Sequence, residues 1–310
     1  MAVGERSAEE MGKNAIEVKN LTKKYEGFEL NNISFDIPEG SIVGFIGENG
    51  AGKSTAMKAI LGLIPVDQGD ITVLGQKIVG ETANGKTDEK WREQIGVVFD
   101  ECNFSNELKI KNINSFMKHI YQTWDEKVFL DYIGKFDLPI DKRVKELSKG
   151  MKMKLSIAAA LSHGSKLLIL DEATSGLDPV VRNEILDIFR EYVIDEHRTI
   201  FLSSHITSDI EKIADYILLI HQGKILLMES KDTLIYEYGM VKCTKEQAES
   251  IPEELVVGRE DAEFGSSVLV KNKNSLKDSG FFDRQTEEGI KPLIDRVDIE
   301  EILLYIVKHR

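Results

Sequence analysis

The stretch GENGAGKST, from Gly47 to Thr55, constrains the fold of this chain more than any other part of its sequence. It satisfies the pattern GxxxxGK[ST] and directly follows SIVGFIG, which has the apolar composition of a buried strand. Glycines at positions 50 and 52 allow backbone amides to turn inward around phosphate oxygens. The pattern therefore predicts a strand, a phosphate-binding loop and a helix whose N-terminal dipole favours an anion.

The residues that end this loop have side chains suited to a nucleotide. Lys53 supplies a positive charge to the β- and γ-phosphates, and the hydroxyl of Ser54 is a ligand for Mg²⁺. The loop alone leaves several classes of protein open, namely kinases, GTPases, motor ATPases and transport ATPases. A second group of residues is needed to choose among them.

A pair of carboxylates ends another apolar strand. In LLILDE, Asp171 can bind Mg²⁺ through water while Glu172 polarises an attacking water. The pair lies a short helix after LSKG and immediately before ATSGLDP. Further along, FLSSH places His205 at the end of another strand, where a histidine can reach the γ-phosphate.

Strand-like and helix-like segments alternate along the chain. Apolar strands recur at DITVLG, IGVVF, KLLILDE and TIFLSSH, and helical stretches follow several of them. This alternation predicts an α/β fold with a largely parallel sheet. The pattern of residues 217–227 predicts a hairpin with Gly223 at its turn.

The region between about 105 and 160 has a helical pattern. Apolar residues recur there at near-helical spacing: Phe116, Ile120, Trp124, Phe129, Ile133 and Phe136. A stripe of this kind is more often packed in a core than part of a ligand site. We therefore predict a helical subdomain inserted in the sheet.

The composition limits the partners of the chain. A net charge of −13 argues against a surface that coats nucleic acid. Four lysines nevertheless form a local basic patch: Lys145, Lys149, Lys152 and Lys154.

No segment approaches the roughly 20 apolar residues that a membrane span needs. The isolated Cys102 and Cys243 favour neither a metal site nor a disulfide.

These patterns divide the 310 residues into three parts. Residues 1–13 are polar and charged and predict a disordered leader. Residues 14–235 predict the nucleotide-binding domain, with its helical subdomain at about 101–160, and 236–310 predict a small accessory domain. The accessory part ends in the amphipathic DIEEILLYIVKHR and contains no group of residues typical of catalysis.

In combination, the motifs between about 15 and 235 resemble those of the nucleotide-binding subunit of an ABC transporter. The resemblance implies an α/β P-loop NTPase core of the RecA type, an inserted helical subdomain and a small C-terminal α+β domain. Gly47–Thr55 resembles the Walker A loop, Leu167–Asp171 the Walker B strand and Ser175–Asp178 the D-loop. Glu172 then corresponds to the catalytic base and His205 to the switch histidine, with Lys53 as the third catalytic residue.

The resemblance also implies which residues bind ATP and Mg²⁺. Tyr25 lies where the family stacks an aromatic ring on adenine. LSKGM resembles the signature motif, whose serine, glycine and helix N-terminus bind the γ-phosphate of ATP held by a second subunit. The implied ATP contacts are Tyr25, Gly47, Glu48, Asn49, Gly50, Ala51, Gly52, Lys53, Ser54, Thr55, Asp100, Ser148, Gly150 and Asp178. The implied Mg²⁺ ligands are Ser54, Asp171 and Asp100.

Two parts of the sequence depart from the family pattern. Lys149 and Met151 replace the usual glycine and glutamine of the signature motif, a variant that resembles subunits of the ABC-2 type. Asp100, in IGVVFDE, stands where the family has glutamine. An aspartate can still ligate Mg²⁺, but its charge opposes the γ-phosphate, so we expect slower or more Mg²⁺-dependent hydrolysis. The alternative is that Asp100 points to solvent and Glu101 or water takes its place.

The resemblance implies an ATPase that dimerises around ATP and powers transport, with export favoured over import. Its implied partners are a second ATP-binding subunit, identical or homologous, and a separate integral membrane permease. The resemblance also implies that the chain itself is peripheral, at the cytoplasmic face of the cell membrane. The family docks the permease on helices such as those around Phe116 to Phe136. The alternative function is that of a non-transport ABC ATPase that acts on ribosomes or nucleic acid. A third function is that of a module that binds ATP without hydrolysing it. For the transporter subunit we expect no nucleic acid partner.

Overall fold

The computed structural model of the chain describes residues 13–79, 89–194, 198–283 and 289–309. The chain forms two compact units: the first contains residues up to 214 and 220–225, and the second contains 215–219 and the residues from 226 on. The predicted leader, residues 1–13, lies outside the described residues except for Lys13.

Among the described residues, strands and helices alternate over most of the chain. The strands are β1 (Asn14–Tyr25), β2 (Phe28–Pro38), β3 (Ile42–Ile46), β4 (Gln68–Val73), β5 (Gln76–Val79), β6 (Ile95–Val98), β7 (Leu167–Asp171), β8 (Thr199–Ser204), β9 (Tyr216–His221), β10 (Lys224–Ser230), β11 (Gly239–Cys243), β12 (Val256–Ala262), β13 (Gly265–Val270) and β14 (Leu293–Asp295). The helices are α1 (Lys53–Ile60), α2 (Ile110–Ile120), α3 (Glu126–Lys135), α4 (Lys149–Leu161), α5 (Pro179–Val193), α6 (Thr207–Ile213), α7 (Lys231–Glu237), α8 (Lys245–Glu249), α9 (Lys273–Asp278) and α10 (Ile299–Lys308).

A six-stranded sheet has the order β10-β9-β3-β8-β7-β6. The pairs β3/β8, β8/β7 and β7/β6 are all parallel. Every residue of β3, β7 and β8 is buried, as expected for parallel strands that are covered on both faces. The largely parallel sheet predicted from the alternating pattern is therefore confirmed.

A four-stranded sheet in the first unit has the order β2-β1-β4-β5 and antiparallel pairs. Its strand β2 packs on the parallel sheet through Phe35, whose ring centroid lies 6.1 Å from that of Phe45 and 6.0 Å from that of Phe201. The rings of Phe45 and Phe201 stack at 5.2 Å. This aromatic cluster forms the buried contact between the two sheets, and it fixes β3 and β8 next to each other.

The predicted hairpin near Gly223 is confirmed, since β9 and β10 are neighbours in the sheet. Gln222 and Gly223 have φ values of 46° and 73°, the left-handed conformation that a tight two-residue turn requires. A Cβ atom at Gly223 would lie 1.8 Å from the carbonyl oxygen of Glu29, so only glycine fits this turn.

Helices α2, α3 and α4 lie between β6 and β7 in the chain. The predicted apolar stripe is only partly a core: Phe129 and Ile133 are buried, but Phe116 and Ile120 are 53% and 49% exposed. The prediction that the whole stripe is packed is therefore wrong. The physical reason is that residues 121–125 end one helix and begin another, so one periodicity does not run through both.

The second unit contains a four-stranded sheet of order β12-β13-β11-β14. Its core is formed by residues from β11, β13, α8, α9 and their neighbours: Val241, Cys243, Ala248, Ile251, Val268, Val270, Leu276 and Phe281. Burial raises the pKa of the Cys243 thiol to about 11, which makes this thiol inert at neutral pH. Helix α10 buries Ile299, Ile302 and Ile306 on one face.

Across the residues that the structure describes, no helix combines the length and the apolar composition needed to cross a membrane.

Candidate active site

Four adjacent parallel strands bring the predicted site residues to one edge of the sheet. The loop Gly47–Thr55 follows β3, His205 follows β8, Asp171 and Glu172 end β7, and Asp100 follows β6. In the sheet these strands stand in the order β3-β8-β7-β6. Because parallel strands have their carboxyl ends at the same edge, side chains that are far apart in sequence meet there, where ligands of open α/β sheets bind.

The loop after β3 has the backbone conformation that its glycines predict. Gly50 and Gly52 have φ values of 84° and 115°, and Gly52 is the residue that precedes α1. A Cβ atom at Gly52 would lie 2.6 Å from the Leu30 side chain, so both the conformation and the space require glycine. The loop therefore presents backbone amides and the N-terminus of α1 to the same region, an arrangement suited to phosphate.

Lys53 is buried at the start of α1, and its ammonium points back into the loop. Its Nζ donates hydrogen bonds to the carbonyl oxygens of Gly47 at 2.6 Å and Glu48 at 3.3 Å. The same atom lies 3.4 Å from Oε1 of Glu172. A single positive charge therefore links the loop after β3 to the carboxylate after β7.

Asp171 is held in place by Ser203 on the neighbouring strand. The Ser203 hydroxyl donates a hydrogen bond to Oδ1 of Asp171 at 2.6 Å, and both residues are buried. The amide of the next residue, Glu172, donates to the Ser203 hydroxyl at 3.1 Å and to its carbonyl at 3.2 Å. Ser203 therefore orients the Asp171 carboxylate and fixes the backbone of Glu172.

Glu172 lies between two nitrogen groups. Its Oε2 accepts a hydrogen bond from Nδ1 of His205 at 2.7 Å, while its Oε1 faces Lys53. Oε1 is buried and accepts no hydrogen bond from the described residues. Glu172 also has a φ of 53°, a left-handed conformation that costs a non-glycine residue of order 1 kcal/mol or more and that clusters at active sites.

A cavity of about 730 Å³ opens beside these groups. Four of the predicted site residues line it: Asn49, Asp100, Glu172 and His205. Seven further residues complete the lining: Glu101, Cys102, Asn106, Lys149, Lys152, Met153 and Ser175. The exposed Asp100 and Glu101 both line this cavity, so the role of Asp100 stays a prediction.

The strand β1 brings Tyr25 near the loop through its hairpin partner. Tyr25 pairs with Phe28 across the β1/β2 turn. The Phe28 ring lies 2.9 Å from the position that a Cβ atom of Gly52 would occupy. The Tyr25 ring is 48% exposed, and Nζ of Lys23 lies 5.3 Å from its centroid. An exposed aromatic face beside the phosphate loop is available for a planar base.

Three of the implied ATP contacts are exposed helix caps or their neighbours rather than lining residues of the cavity. Ser148 caps α4 by accepting a hydrogen bond from the amide of Met151 at 3.2 Å. Asp178 caps α5 by accepting from the amides of Val180 and Val181, both at 3.1 Å. Gly150 packs beside α5, with Val181 at 3.8 Å from its Cβ position. The structure leaves the starts of these two helices accessible on the surface.

The predicted basic patch is largely neutralised in the structure. Lys145 pairs with Glu107 at 2.8 Å, and Lys154 pairs with Glu184 at 2.7 Å. The other two lysines of the patch, at positions 149 and 152, line the cavity instead. Two of the four lysines are therefore paired with carboxylates, and the other two add positive charge to the cavity.

The oxygen donors fit a magnesium ion. Ser54 offers a hydroxyl and Asp171 a carboxylate that keeps one oxygen, Oδ2, beyond its bond to Ser203. No group of three or more His, Cys, Asp and Glu residues that could hold a metal by itself occurs among the described residues. This donor set matches Mg²⁺, which usually takes only one or two protein oxygens and completes its shell with phosphate oxygens and water.

The sequence motifs do not point to Ser203 as a site residue. The available signal was its position near the end of a strand that is followed directly by His205. The lining residues Cys102 and Asn106 were also missed, since nothing in their local sequence distinguishes them from ordinary loop residues, whereas Ser175 begins the predicted D-loop.

Comparisons with known proteins identify relatives of both the first unit and the whole chain. The sequence profile of the family described as ABC transporter matches residues 30–175. An uncharacterized ABC transporter ATP-binding protein of Bacillus subtilis, YhcH, is 31% identical over 96% of this chain and 92% of its own length. The lantibiotic transport ATP-binding protein SrtF of Streptococcus pyogenes is 37% identical over 70% of this chain and 91% of its own length.

A solved structure extends these comparisons to the fold. The ATP-binding subunit of an ABC transporter superposes with a TM-score of 0.63 at 28% sequence identity, over 71% of this chain and 91% of that subunit.

Proposed function

Because this chain belongs to the ATP-binding proteins of ABC transporters, we propose that it hydrolyses ATP between two such subunits and thereby powers export through a separate membrane permease. Membership of this family makes the chain an ABC transporter ATPase. The pairing of subunits, the direction of transport and the roles of single residues are the proposal.

One observation carries this proposal: Glu172 is held between Lys53 of the phosphate loop and His205 of the next strand. A general base must lie within hydrogen-bond reach of the attacking water, and these two contacts place the carboxylate beside the phosphate loop. The lysine binds the phosphate oxygens, the histidine orients the carboxylate, and Oε1 is free of hydrogen bonds from the described residues, so it can accept one from a water molecule.

The proposed reaction proceeds by direct attack of water. A lone pair on the water oxygen forms a bond to the γ-phosphorus while the bond from that phosphorus to the bridging oxygen breaks and ADP leaves. Glu172 takes the proton of the attacking water. Lys53 and the amides of the loop stabilise the negative charge that develops on the transferred group.

Ser54 and Asp171 would hold the magnesium ion, which when bound neutralises charge on the β- and γ-phosphates. Ser203 keeps the Asp171 carboxylate in place through its hydroxyl. Asp100 lines the cavity together with Glu172 and would be a further ligand of this ion.

The exposed starts of α4 and α5 support a second subunit as the other half of the site. Ser148, Gly150 and Asp178 are accessible at these helix starts, where amides and helix dipoles favour an anion. In the proposed pair, each chain offers this surface to the ATP held by the phosphate loop of its partner.

The permease would contact the helical subdomain. Phe116 and Ile120 of α2 and Leu130 of α3 are exposed apolar side chains, and they support a docking surface for a membrane protein. Export is proposed because the signature variant with Lys149 and Met151 resembles the ABC-2 type. The Streptococcus relative is named for lantibiotic transport, so an antimicrobial peptide is the first class of cargo to test.

The catalytic part of the proposal is tested by ATPase measurements on two matched variants. Glu172→Gln removes the proposed base, and Glu101→Gln removes a neighbouring carboxylate of the same cavity. We expect Glu172→Gln to lower the steady-state rate by about 10²-fold or more, since general-base catalysis contributes about 10²–10⁴-fold, and Glu101→Gln to retain most of the rate. The reverse result would assign the base to Glu101.

The transport part is tested by purifying the tagged Glu172→Gln chain from detergent-solubilised cells with ATP and Mg²⁺, because this substitution should trap the ATP-bound pair. We expect a stoichiometric membrane protein with several spans to copurify. Copurification of ribosomes or nucleic acid instead of a membrane protein would overturn the transport proposal. It would not contradict the assignment of the ATP site. Cargo accumulation inside cells that lack the chain would support export over import.

A further inference from the structure

The second unit contains a cavity of about 480 Å³ that no part of the proposed ATPase function uses. Helix α7 contributes Ile235 and Tyr236 to its lining, α9 contributes Lys273 and Lys277, and Arg296 follows β14. Its volume lies in the range of pockets for small molecules. Three cations and an aromatic ring therefore share one pocket in a chain whose net charge is −13.

The negative charge within the lining is already compensated. Asp295 is the one carboxylate residue among the lining residues, and its Oδ2 lies 2.6 Å from Nζ of Lys242, a residue outside the lining. Within the described parts of the chain, no carboxylate lies within 4.0 Å of the charged nitrogens of Lys277 or Arg296. Two cations of the pocket thus remain available to an external anion.

The third cation, Lys273, is committed to the backbone. Its Nζ donates to the carbonyl oxygens of Tyr238 at 2.7 Å and Ile235 at 3.3 Å, where it stabilises the C-terminal end of α7. Burial, followed by the charges of Lys277 and Arg296, lowers the pKa of the Lys273 ammonium. Lys273 is therefore close enough to Lys277 and to Arg296 to be repelled by both, and a bound anion would relieve that repulsion.

The same pocket presents apolar surface next to the cations. The side chain of Tyr236 is 66% exposed and that of Ile235 is 38% exposed. Ile294 and Val297 complete the apolar part of the lining. An exposed aromatic ring next to free cations is suited to a ligand with one anionic and one non-polar end.

We propose that this pocket binds an organic phosphate, with Arg296 and Lys277 contacting the phosphate group and Tyr236 contacting its apolar or aromatic part. The planar guanidinium matches two phosphate oxygens at once, and the lysine adds a point charge. A soluble phosphate ester and the headgroup of an anionic lipid share this chemistry. The pocket is independent of the ATP site, so its test does not depend on ATP hydrolysis.

The test is an isothermal calorimetric titration of the full chain with phenyl phosphate. It is done on the unmodified protein and on Lys277→Ala/Arg296→Ala. The phosphate loop also binds phosphate, so the number of sites is the readout. We expect two sites in the unmodified chain and one in this variant, and Lys53→Ala should lose the other site. Tyr236→Ala should lower the affinity of the pocket for phenyl phosphate by a larger factor than its affinity for inorganic phosphate.

The matched control is Lys245→Ala/Lys291→Ala, which removes the same charge from exposed positions of the second unit that do not line the pocket. It should keep both sites. An isotherm that Lys277→Ala/Arg296→Ala does not change would overturn the proposal, whether the unmodified chain shows one site or two. A single site that this variant loses and Lys53→Ala keeps would support the pocket and count only against phosphate binding by the loop. The replaced residues are exposed, and circular dichroism of each variant verifies that the fold is retained.

A second arm distinguishes the two sources of phosphate. The chain is sedimented with vesicles made of equal parts of phosphatidylcholine and phosphatidylglycerol, and with phosphatidylcholine alone. Binding that needs phosphatidylglycerol and is lost in Lys277→Ala/Arg296→Ala assigns the pocket to a lipid headgroup. Absence of such binding, together with a phenyl phosphate site, assigns it to a soluble phosphate ester.

Discussion

Asp100 is the residue at which the physical chemistry of this site differs most from that expected for a glutamine. It lines the cavity together with Glu172 and His205, so the cavity contains one acidic side chain more than a glutamine would allow. A carboxylate can bind Mg²⁺ directly, but in a site that receives a triphosphate its charge raises the energy of the bound state.

We therefore predict that Asp100→Gln increases ATP turnover and lowers the Mg²⁺ concentration needed for half-maximal rate. A repulsion of about 1 kcal/mol, typical of like charges in a partly solvated site, corresponds to roughly fivefold in rate. Steady-state ATPase measured over a range of Mg²⁺ concentrations checks the prediction. Asp100→Asn is the matched control, since it removes the charge while keeping the length, and an unchanged rate and Mg²⁺ response in both variants would contradict it.

At the scale of residues, the sequence predicts those site groups whose motifs have a fixed spacing. Lys53 follows its glycines within a loop, and Glu172 and His205 each end an apolar strand, so the strand order brings them together. The role of Ser203 depends on β7 and β8 being adjacent, which no local pattern states. The same holds for Cys102 and Asn106, because their place in the cavity depends on where α4 packs.

At the scale of elements, the strands and most helices follow from periodicity, whereas the side that each helix buries does not. Phe116 and Phe129 belong to one apolar stripe in the sequence, but only Phe129 is buried. The Phe129 ring packs against Trp124 with 5.2 Å between ring centroids. The side chain of Phe116 is instead exposed to solvent. Burial depends on the neighbouring element, and that information lies outside the stripe.

The turn after α4 contains a buried histidine that makes the stability of the first unit dependent on pH. His163 is 1% exposed, stacks on Tyr121 with centroids 4.2 Å apart, and donates from Nδ1 to the Glu93 carbonyl at 3.0 Å. Burial is the main cause that lowers its pKa from 6.5. The folded chain therefore keeps the imidazole neutral under conditions in which the unfolded chain protonates it.

The sign of the effect follows from proton linkage. Since the unfolded state binds more protons below the unfolded pKa of 6.5, stability is present above that pH and is lost as the pH falls below it. We expect a loss of at most about 1.4 kcal/mol for each pH unit between that value and the lower pKa of the folded state. Chemical denaturation at several pH values measures it.

His163→Phe is the matched variant for this measurement, because it keeps a ring against Tyr121 and removes the titration. Its absolute stability falls, since the Glu93 carbonyl loses its donor, so the slope with pH is compared. We expect a shallower loss of stability between about pH 6.5 and 5 in the variant. Parallel slopes for the two proteins would exclude His163 as the cause.

At the scale of the whole molecule, the two units differ in how they are built and in what they can do. The first unit contains the phosphate loop, the carboxylate pair and the histidine at the edge of its parallel sheet. The second has an antiparallel sheet with its own core, in which all buried members of the cluster lie at or after Val241. Because the sheet of β11 to β14 has a buried cluster of its own, we expect the chemistry of the first unit not to require that sheet.

We therefore predict that a chain ended after Glu237, at the end of α7, still binds ATP with a dissociation constant within about twofold of the full chain, since the second sheet has a core of its own and independent sites contribute additively. Equilibrium binding of a fluorescent ATP analogue measures this. Lys53→Ala in the shortened chain is the control that must abolish binding at the loop. A tenfold loss of affinity in a shortened chain that keeps its helical circular dichroism would show that residues beyond Glu237 support the ATP site, and would contradict the independence of the two units.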